Sequence, residues 1–61
     1  MKDIRKLREA RGMSQRELAK VSGISQSFIS KLERQETKEP CLHTIECLAK
    51  GLGIETVDLI D

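Results

Sequence analysis

Residues 14–34, SQRELAKVSGISQSFISKLER, contain the signals for two helices and for the tight turn between them. Ser14 and Glu17 have the Ser-x-x-Glu spacing of a capping box, in which each side chain accepts a hydrogen bond from the other residue's backbone N–H. A helix is therefore predicted to begin after Ser14. Gly23 predicts the turn, because a residue without a Cβ enters the positive-φ region at little steric cost. Ser25, two residues later, predicts the N-cap of a second helix.

The apolar residues of this stretch indicate which side of each helix is buried. Leu18 and Ala19 are predicted to face inward from the first helix, and the apolar side chain of Ile24 is predicted to fill the space inside the turn. Ile29 and Leu32 have the i, i+3 spacing of a buried stripe on the second helix. Two short helices joined by three or four residues that include a glycine form a helix-turn-helix unit, whose second helix enters the major groove of DNA.

The stretch resembles the Xre/Cro-type repressors of phages and bacteria, a family of five-helix, lambda-repressor-like DNA-binding domains. The positions that match the family are small, glycine or apolar residues at its spacing: Leu18, Ala19, Gly23, Ile24, Ile29 and Leu32. The segments IRKLREARGMSQ and EPCLHTIECLAKGLGI are similar to the family's first and fourth helices, so the resemblance covers nearly the whole chain. It implies an all-α, five-helix fold with a central helix-turn-helix that binds double-stranded DNA.

Two positions depart from the family's pattern. Gln35 stands where the family usually places glycine after the third helix, and the loop that follows is one residue longer than the common version. Cys41 occupies the predicted N-cap of the fourth helix, which is normally a serine or a threonine. Because a thiol is a weak acceptor, we expect a weak cap there.

We expect one domain over residues 1–61, built of five helices whose ranges follow from apolar spacing, caps and glycine stops. Residues 35–41 are predicted to form a polar loop, because Pro40 restricts Glu39 to extended geometry. The predicted helices are, approximately, Lys2 to Arg11, Gln15 to Val21, Gln26 to Arg34, Leu42 to Leu52 and Thr56 to Ile60.

Length and composition are typical of a small helical module without an enzymatic cleft. A domain of 61 residues buries only ~60% of the surface that its unfolded chain exposes. The chain has one aromatic residue, one proline and one histidine, and it lacks a glycine-rich phosphate loop or a nucleophile elbow, so we expect no enzymatic activity. No apolar run approaches the ~20 residues of a membrane span, and the N-terminus lacks a signal-peptide core, which predicts a cytoplasmic location.

The net charge of +1 conceals an uneven distribution. Residues 1–34 hold nine basic and four acidic side chains, a balance of +5, whereas residues 35–61 hold two basic and six acidic ones, a balance of −4. The positive half contains the predicted reading helix, where the phosphates of DNA require positive potential. The acidic half is left to face solvent or a partner. Charge alone does not decide between this interpretation and ordinary solvated helix faces.

The polar side of the predicted third helix carries the candidate base-reading residues Gln26, Ser27 and Lys31. Gln26 lies in the first turn, where the family presents its base readers, and its amide can bond adenine N6 and N7 together. Ser27 is short, suits donor or acceptor contacts, and leaves space for a thymine methyl group. Lys31, one turn further, is a candidate for guanine O6 and N7, although a flexible ammonium discriminates less well than arginine.

Phosphate contacts fix the register of a protein on DNA and carry no sequence information. The start of the predicted second helix offers unpaired N–H groups and the positive end of the helix dipole, and by similarity to the family Gln15 binds a phosphate there. Lys38 is a candidate because the family's loop between the third and fourth helices approaches the DNA backbone. The remaining candidates are basic or hydroxyl residues: Arg11, Arg16, Ser25, Ser30 and Arg34.

Arg8 and Glu33 are predicted to have structural roles. The family commonly pairs an arginine and a glutamate at these places, and such a pair would tie the first helix to the reading helix and fix its tilt. Phe28 lies near Leu32 on the helical wheel, which favours packing at the edge of the core over a role at the DNA surface.

The cysteines and the histidine do not have the spacing of a metal site. Cys41 and Cys47 are not a C-x-x-C pair, and His43 without further clustered ligands makes a poor site. Cys47 falls opposite the apolar stripe of its helix and is expected to be exposed. We interpret both cysteines as free thiols in preference to a zinc or redox site, and we predict no metal and no cofactor.

These features predict a sequence-specific transcriptional regulator, most simply a repressor that reads a palindromic operator as a homodimer. The dimer is expected to use the acidic C-terminal part, with Val57, Leu59 and Ile60 at the interface unless they close the bundle instead. An alternative function is an antitoxin-like or accessory protein-interaction module whose acidic half binds a protein partner. A further alternative is that this chain is the N-terminal segment of a longer regulator that carries a sensor domain.

Overall fold

The computed structural model describes residues 2–37 and 40–60, and within these it contains five α-helices and no strand. The all-α architecture predicted from the sequence is confirmed, and the last two helices have their predicted ranges. None of the described helices is long and apolar enough to cross a bilayer. The helices are α1 (Ile4–Ala10), α2 (Gln15–Ser22), α3 (Gln26–Glu33), α4 (Leu42–Leu52) and α5 (Thr56–Ile60).

The helix ends follow the capping signals of the sequence. The α1 helix begins later than predicted because the side chain of Asp3 accepts from the backbone N–H of Lys6 at 3.2 Å and so caps the helix. The capping box of α2 is present: Ser14 Oγ accepts from the Glu17 N–H at 3.0 Å, and the Ser14 N–H donates to the Glu17 carboxylate at 2.8 Å. Gly23 then ends α2 with φ +76°, in the left-handed region that the prediction required.

The core is a cluster of aliphatic side chains to which every helix contributes. Leu18, Ile29, Leu48 and Leu59 are fully buried within it. Phe28 is partly buried and packs against the cluster, which confirms its predicted place at the core's edge. The other buried members of the core are Ile4, Leu32, Ile45, Ala49 and Leu52.

The α5 helix buries one of its apolar residues and exposes two. Leu59 is fully buried, whereas Val57 and Ile60 are 64% and 44% exposed. Of the two roles left open for Leu59, closing the bundle is the one that the structure shows, because this side chain anchors α5 in the core and has no surface to offer a dimer interface. Val57 and Ile60 remain on the surface.

Gly51 allows α4 to approach α2 closely. A Cβ at this position would lie 3.0 Å from the Cβ of Ser22 and 3.2 Å from side-chain carbons of Leu18 and Val21. Such contacts are tighter than ordinary packing permits, so a larger residue would push the two helices apart. The glycine thus helps to hold α2, and with it the turn into α3, against the rest of the bundle.

The end of α3 places a residue with a Cβ in the left-handed region. The N–H of Glu36 donates to the carbonyl of Lys31 at 2.9 Å, and the N–H of Gln35 donates to that of Leu32 at 3.1 Å. This is a Schellman motif, whose residue after the C-cap is usually glycine. Gln35 occupies that position with φ +58°, as Gly12 does after α1 with φ +66°.

Replacing Gln35 with glycine is expected to stabilise the fold by about 0.5–1 kcal/mol. The left-handed conformation costs a residue with a Cβ ~1–2 kcal/mol, and the greater freedom of glycine in the unfolded chain offsets part of the gain. Thermal unfolding should show a rise in Tm of roughly 2–8 °C for a domain of this size. Gln35→Ala, which keeps the Cβ, should show no such gain. A glycine variant no more stable than the wild type would contradict the strain assigned to Gln35.

Helix α4 begins without a side-chain cap. Cys41 makes no capping hydrogen bond, and its Sγ lies 3.4 Å from Thr44 Oγ1, in agreement with the weak cap expected of a thiol. Cys47 is half-buried, not exposed as predicted, because its Sγ lies 3.8 Å from Nε2 of His43 on the preceding turn. Within residues 2–37 and 40–60, no three potential metal ligands lie together.

Candidate nucleic-acid interface

The outer side of α3 presents polar side chains to solvent. Ile29 and Leu32 fix the inner side of this helix in the core, while Gln26, Ser27 and Lys31 are exposed. The three candidate base-reading residues are thus accessible. Their contact with bases stays a prediction.

A shallow depression brings residues of α2 and α3 together on this side. It contains all three candidate base readers and three of the candidate phosphate ligands. Among the described residues its lining is wholly polar, with two cations and no carboxylate: Gln15, Gln26, Ser27, Ser30, Lys31 and Arg34. An open, positively charged depression of this kind suits the edge of a polyanion better than an apolar small molecule.

Arg11 makes contacts within the protein and does not line the depression. Its guanidinium donates from Nε to the carbonyl oxygen of Leu52 and from Nη1 to that of Leu7, the latter at 3.3 Å. These bonds hold the end of α1 against the end of α4. Arg11 therefore has a structural role in the free protein, and its assignment as a phosphate ligand stays an untested prediction.

The other candidate phosphate ligands have varied surroundings. Arg16 is exposed at the start of α2. Ser25 Oγ accepts from a backbone N–H of α3 at 3.2 Å and thereby caps that helix. Arg34 forms an ion pair of 2.9 Å with Glu36, and both side chains are about half exposed, so the pair contributes little to stability. Lys38 lies outside the described residues.

Glu33, in the last turn of α3, lies at the centre of a hydrogen-bonded cluster. Its side chain has no exposed surface, and its carboxylate accepts from Arg8 Nε at 2.8 Å and from Arg8 Nη2 at 3.1 Å. It also accepts from Gln15 Nε2 at 3.0 Å and from Arg5 Nε at 3.4 Å. Arg8 donates further from Nη1 to the carbonyl oxygen of Met13 at 2.6 Å. The cluster links α1, α2 and α3, and the predicted pairing of Arg8 with Glu33 is confirmed.

The hydrogen bonds of this cluster keep Glu33 ionised. Burial raises the pKa of its carboxyl, but hydrogen bonds from Arg8 and Gln15, the charge of Arg8 and the bond from Arg5 outweigh burial and leave the pKa below its ordinary value. The hydrogen bond to Glu33 in turn raises the pKa of Arg8, against the effect of desolvation. Both groups are therefore charged at neutral pH.

The protein is expected to lose stability as the pH falls below the ordinary glutamate pKa of about 4.3. Because the pKa of Glu33 is lower in the folded than in the unfolded chain, its contribution is present above the unfolded-state pKa and is lost as the pH falls through the folded-state pKa. Glu17 adds to this loss, since hydrogen bonds with Ser14 lower its pKa. Urea unfolding between about pH 7 and about pH 3 measures the effect.

Glu33→Gln is the comparison variant for this measurement. It should be less stable than the wild type near neutral pH and should lose less stability on acidification, because the group that titrates has been removed. Equal losses in the wild type and the variant would show that Glu33 is not a source of the acid sensitivity.

The bond between Gln15 and Glu33 was missed by the sequence analysis, which placed Gln15 only at the DNA backbone. The two residues lie on different helices and 18 positions apart, and no local pattern joins them. The one available signal was the predicted pairing of Arg8 with Glu33, which places the carboxylate between α1 and α3 but does not reveal its contact with α2.

The α2 helix is capped at its start and ends at the left-handed Gly23, and α3 follows with its outer side polar and exposed. Because the first turn of α2 lines the same depression as α3, the two helices form a helix-turn-helix of the DNA-binding type. The model of the helix-turn-helix family matches residues 4–59, and the chain belongs to this family, in its Xre/Cro-like branch.

Relatives of the chain are bacterial transcriptional regulators. The uncharacterized HTH-type transcriptional regulator y4dL of Sinorhizobium fredii is 48% identical over 54 residues, which are 88% of this chain and 27% of that protein. A second regulator of this organism, y4dJ, is 38% identical over 55 residues, or 90% of this chain and 70% of the relative. The HTH-type transcriptional regulator DdrOP3 of Deinococcus deserti is 38% identical over 58 residues, or 95% of this chain and 44% of the relative. The chain therefore spans about a quarter of the length of y4dL and under half of DdrOP3.

Proposed function

We propose that this chain is a sequence-specific transcriptional regulator that represses its target by occupying a palindromic operator. The observation that carries the proposal is the polar depression between α2 and α3, which gathers Gln26, Ser27 and Lys31 with candidate phosphate ligands on one accessible side. Relatives that carry the name of transcriptional regulators support the same function. Repression follows from occlusion of the DNA that the protein covers.

In this proposal α3 lies in the major groove and reads bases through its exposed side. Gln26, in its first turn, forms paired hydrogen bonds with an adenine. Ser27 beside it contacts a neighbouring base edge or a thymine methyl group, and Lys31 one turn further meets guanine. The burial of Ile29 and Leu32 supports this arrangement, because it anchors the helix without using its outer side.

Phosphate contacts in this proposal come from the first turn of α2 and from the second half of α3 with its C-cap. The first turn of α2 offers backbone N–H groups and the positive end of the helix dipole, with Gln15 beside them. Ser30 and Arg34 line the depression and supply a hydroxyl donor and a charge. Arg16 is exposed in the first turn of α2 and supplies a further charge. The excess of basic residues in the first 34 positions supplies the long-range attraction.

A homodimer would place two α3 helices in successive major grooves ~34 Å apart, one helical turn of DNA. We propose the C-terminal part as the interface, since Val57 and Ile60 expose apolar surface on α5 there. The protein would act in the cytoplasm, where bacterial DNA lies, as a regulator without enzymatic activity and without a cofactor.

Selection by this protein of DNA duplexes from a random-sequence pool, at a salt concentration fixed at roughly 0.1 M, tests this function. The proposal predicts enrichment of an inverted repeat whose half-sites are about 10 base pairs apart, and an affinity that falls steeply as salt rises. Failure to enrich any sequence, together with salt-insensitive or absent DNA binding, would overturn it in favour of a protein-interaction module. Enrichment of a single half-site would retain DNA reading but contradict the dimer.

A further inference from the structure

We propose that Glu33 is a positioning residue of the DNA interface: its shielded carboxylate holds the amide of Gln15 in the orientation in which Gln15 meets DNA. This inference rests on the proposed function, because it assigns a role within the same surface. Glu33 does not line the polar depression between α2 and α3, whereas Gln15 does. Glu33 therefore acts through Gln15 and does not itself contact the nucleic acid.

The contact between the two side chains fixes which end of the Gln15 amide faces inward. Gln15 Nε2 lies 3.0 Å from Glu33 Oε1. An ionised carboxylate only accepts hydrogen bonds, so the group that faces it must be the NH₂ end of the amide. Because the amide is planar, anchoring Nε2 also fixes the direction of Gln15 Oε1. One N–H of Nε2 and the carbonyl oxygen then remain free to bond a phosphate.

Glu33 is itself held rigidly enough to act as an anchor. Arg8 donates two hydrogen bonds to the Glu33 carboxylate and a third to the carbonyl oxygen of Met13. The Arg8 side chain is only 11% exposed. Fork-like pairing of a guanidinium with a carboxylate adds geometric specificity as well as energy. The orientation of Gln15 is thus determined by a chain of contacts that begins in the turn after α1.

The charge of Glu33 provides a test that separates positioning from electrostatics. A carboxylate near phosphates would weaken DNA binding if it acted through charge alone, and replacing it with a neutral group would raise affinity for any duplex. If Glu33 acts by holding Gln15, the same replacement lowers affinity for the operator. The two mechanisms predict opposite signs.

The test uses Glu33→Gln in a Gln35→Gly background, whose added stability offsets part of the loss from the altered ion pair, and urea unfolding of the variant shows how much of it is folded. The operator is the duplex that the wild type selects, and the comparison duplex has the same composition in scrambled order. We expect operator affinity to fall about 3- to 10-fold, which corresponds to the cost of ordering one long side chain on binding. Affinity for the scrambled duplex should fall by a similar factor, because Gln15 meets a phosphate and phosphate contacts are independent of sequence.

A double-mutant cycle shows whether the effect passes through Gln15. Gln15→Ala should weaken operator binding, and adding Glu33→Gln to Gln15→Ala should produce no further loss. An equal loss in both backgrounds would mean that Glu33 acts through general structure, and a gain of affinity on both duplexes would mean that it acts through charge. Either result would overturn the proposal. A wild type that shows no sequence preference would instead refute the proposed function, before any variant is made.

The NMR signals of the Gln15 side-chain amide give a measurement that does not depend on any variant. In the free wild-type protein we expect one Nε2 proton to be shifted and protected from solvent exchange by its bond to Glu33. Two amide protons with the shifts and exchange of a solvated glutamine would overturn the proposal.

Discussion

Replacing Gln26 with alanine is expected to weaken operator binding roughly 5- to 150-fold while leaving the fold intact. A bidentate contact between a glutamine amide and adenine is worth ~1–3 kcal/mol of discrimination, and truncation to alanine removes both hydrogen bonds. Gln26 is exposed and makes no contact on which the core depends, so stability should change by less than about 0.5 kcal/mol. Competition binding against every substitution of the contacted base pair measures the loss of preference.

Arg34→Ala is the matched comparison for this prediction. Arg34 lines the same depression but is assigned to phosphate, so its removal should weaken binding to all duplexes alike and reduce the slope of log affinity against log salt by about 1. A Gln26→Ala variant that weakens operator and scrambled DNA equally would contradict its role as a base reader. A change of base preference in Arg34→Ala would contradict the division of roles along α3.

Replacing Arg8 with alanine is expected to destabilise the fold more than Gln26→Ala, Arg34→Ala or Arg5→Ala. The variant leaves the fully shielded Glu33 carboxylate without its two shortest charged contacts, and removing one partner of a buried pair costs ~3–5 kcal/mol. We expect the lower end of this range, since Arg5 and Gln15 still donate to the carboxylate. A core of this size rarely supplies more than ~3–5 kcal/mol, so a large fraction of the variant should be unfolded. Circular dichroism with urea unfolding measures the loss.

Two control variants show how much of the destabilisation comes from leaving the Glu33 carboxylate unpaired and how much from losing an arginine side chain. Arg5→Ala removes a longer contact from a side chain that is 51% exposed, and it should cost less than about 1 kcal/mol. The double variant Arg8→Met with Glu33→Leu leaves no uncompensated charge and should recover most of the stability. A loss below about 1 kcal/mol in Arg8→Ala would contradict the central position of this pair in the fold.

Local signals in the sequence were sufficient to predict the helices and the turn that positions α3. The capping box at Ser14 and the left-handed Gly23 act within a few residues, so short-range chemistry specifies them. The stripe of Ile29 and Leu32 fixes which side of α3 is buried, and from that the exposed residues follow. The predicted range of α4 is also correct, because its apolar spacing persists over eleven residues.

Contacts between distant helices were not available from local patterns. Arg11 donates to the carbonyl oxygen of Leu52, 41 positions away, whereas the sequence analysis predicted for it only a phosphate contact. The five residues of α5 are too few to define a buried stripe, so nothing in their spacing separated Leu59 from Val57. Both outcomes depend on how the helices pack, which a single sequence does not encode as a periodic signal.

The most direct test of the central claim, that the outer side of α3 reads the major groove, is NMR of the protein bound to its selected duplex. Intermolecular NOEs from the side chains of Gln26 and Ser27 to base protons in the major groove are the predicted result. NOEs confined to α4 and α5, with Gln26 and Ser27 still in contact only with solvent, would contradict it.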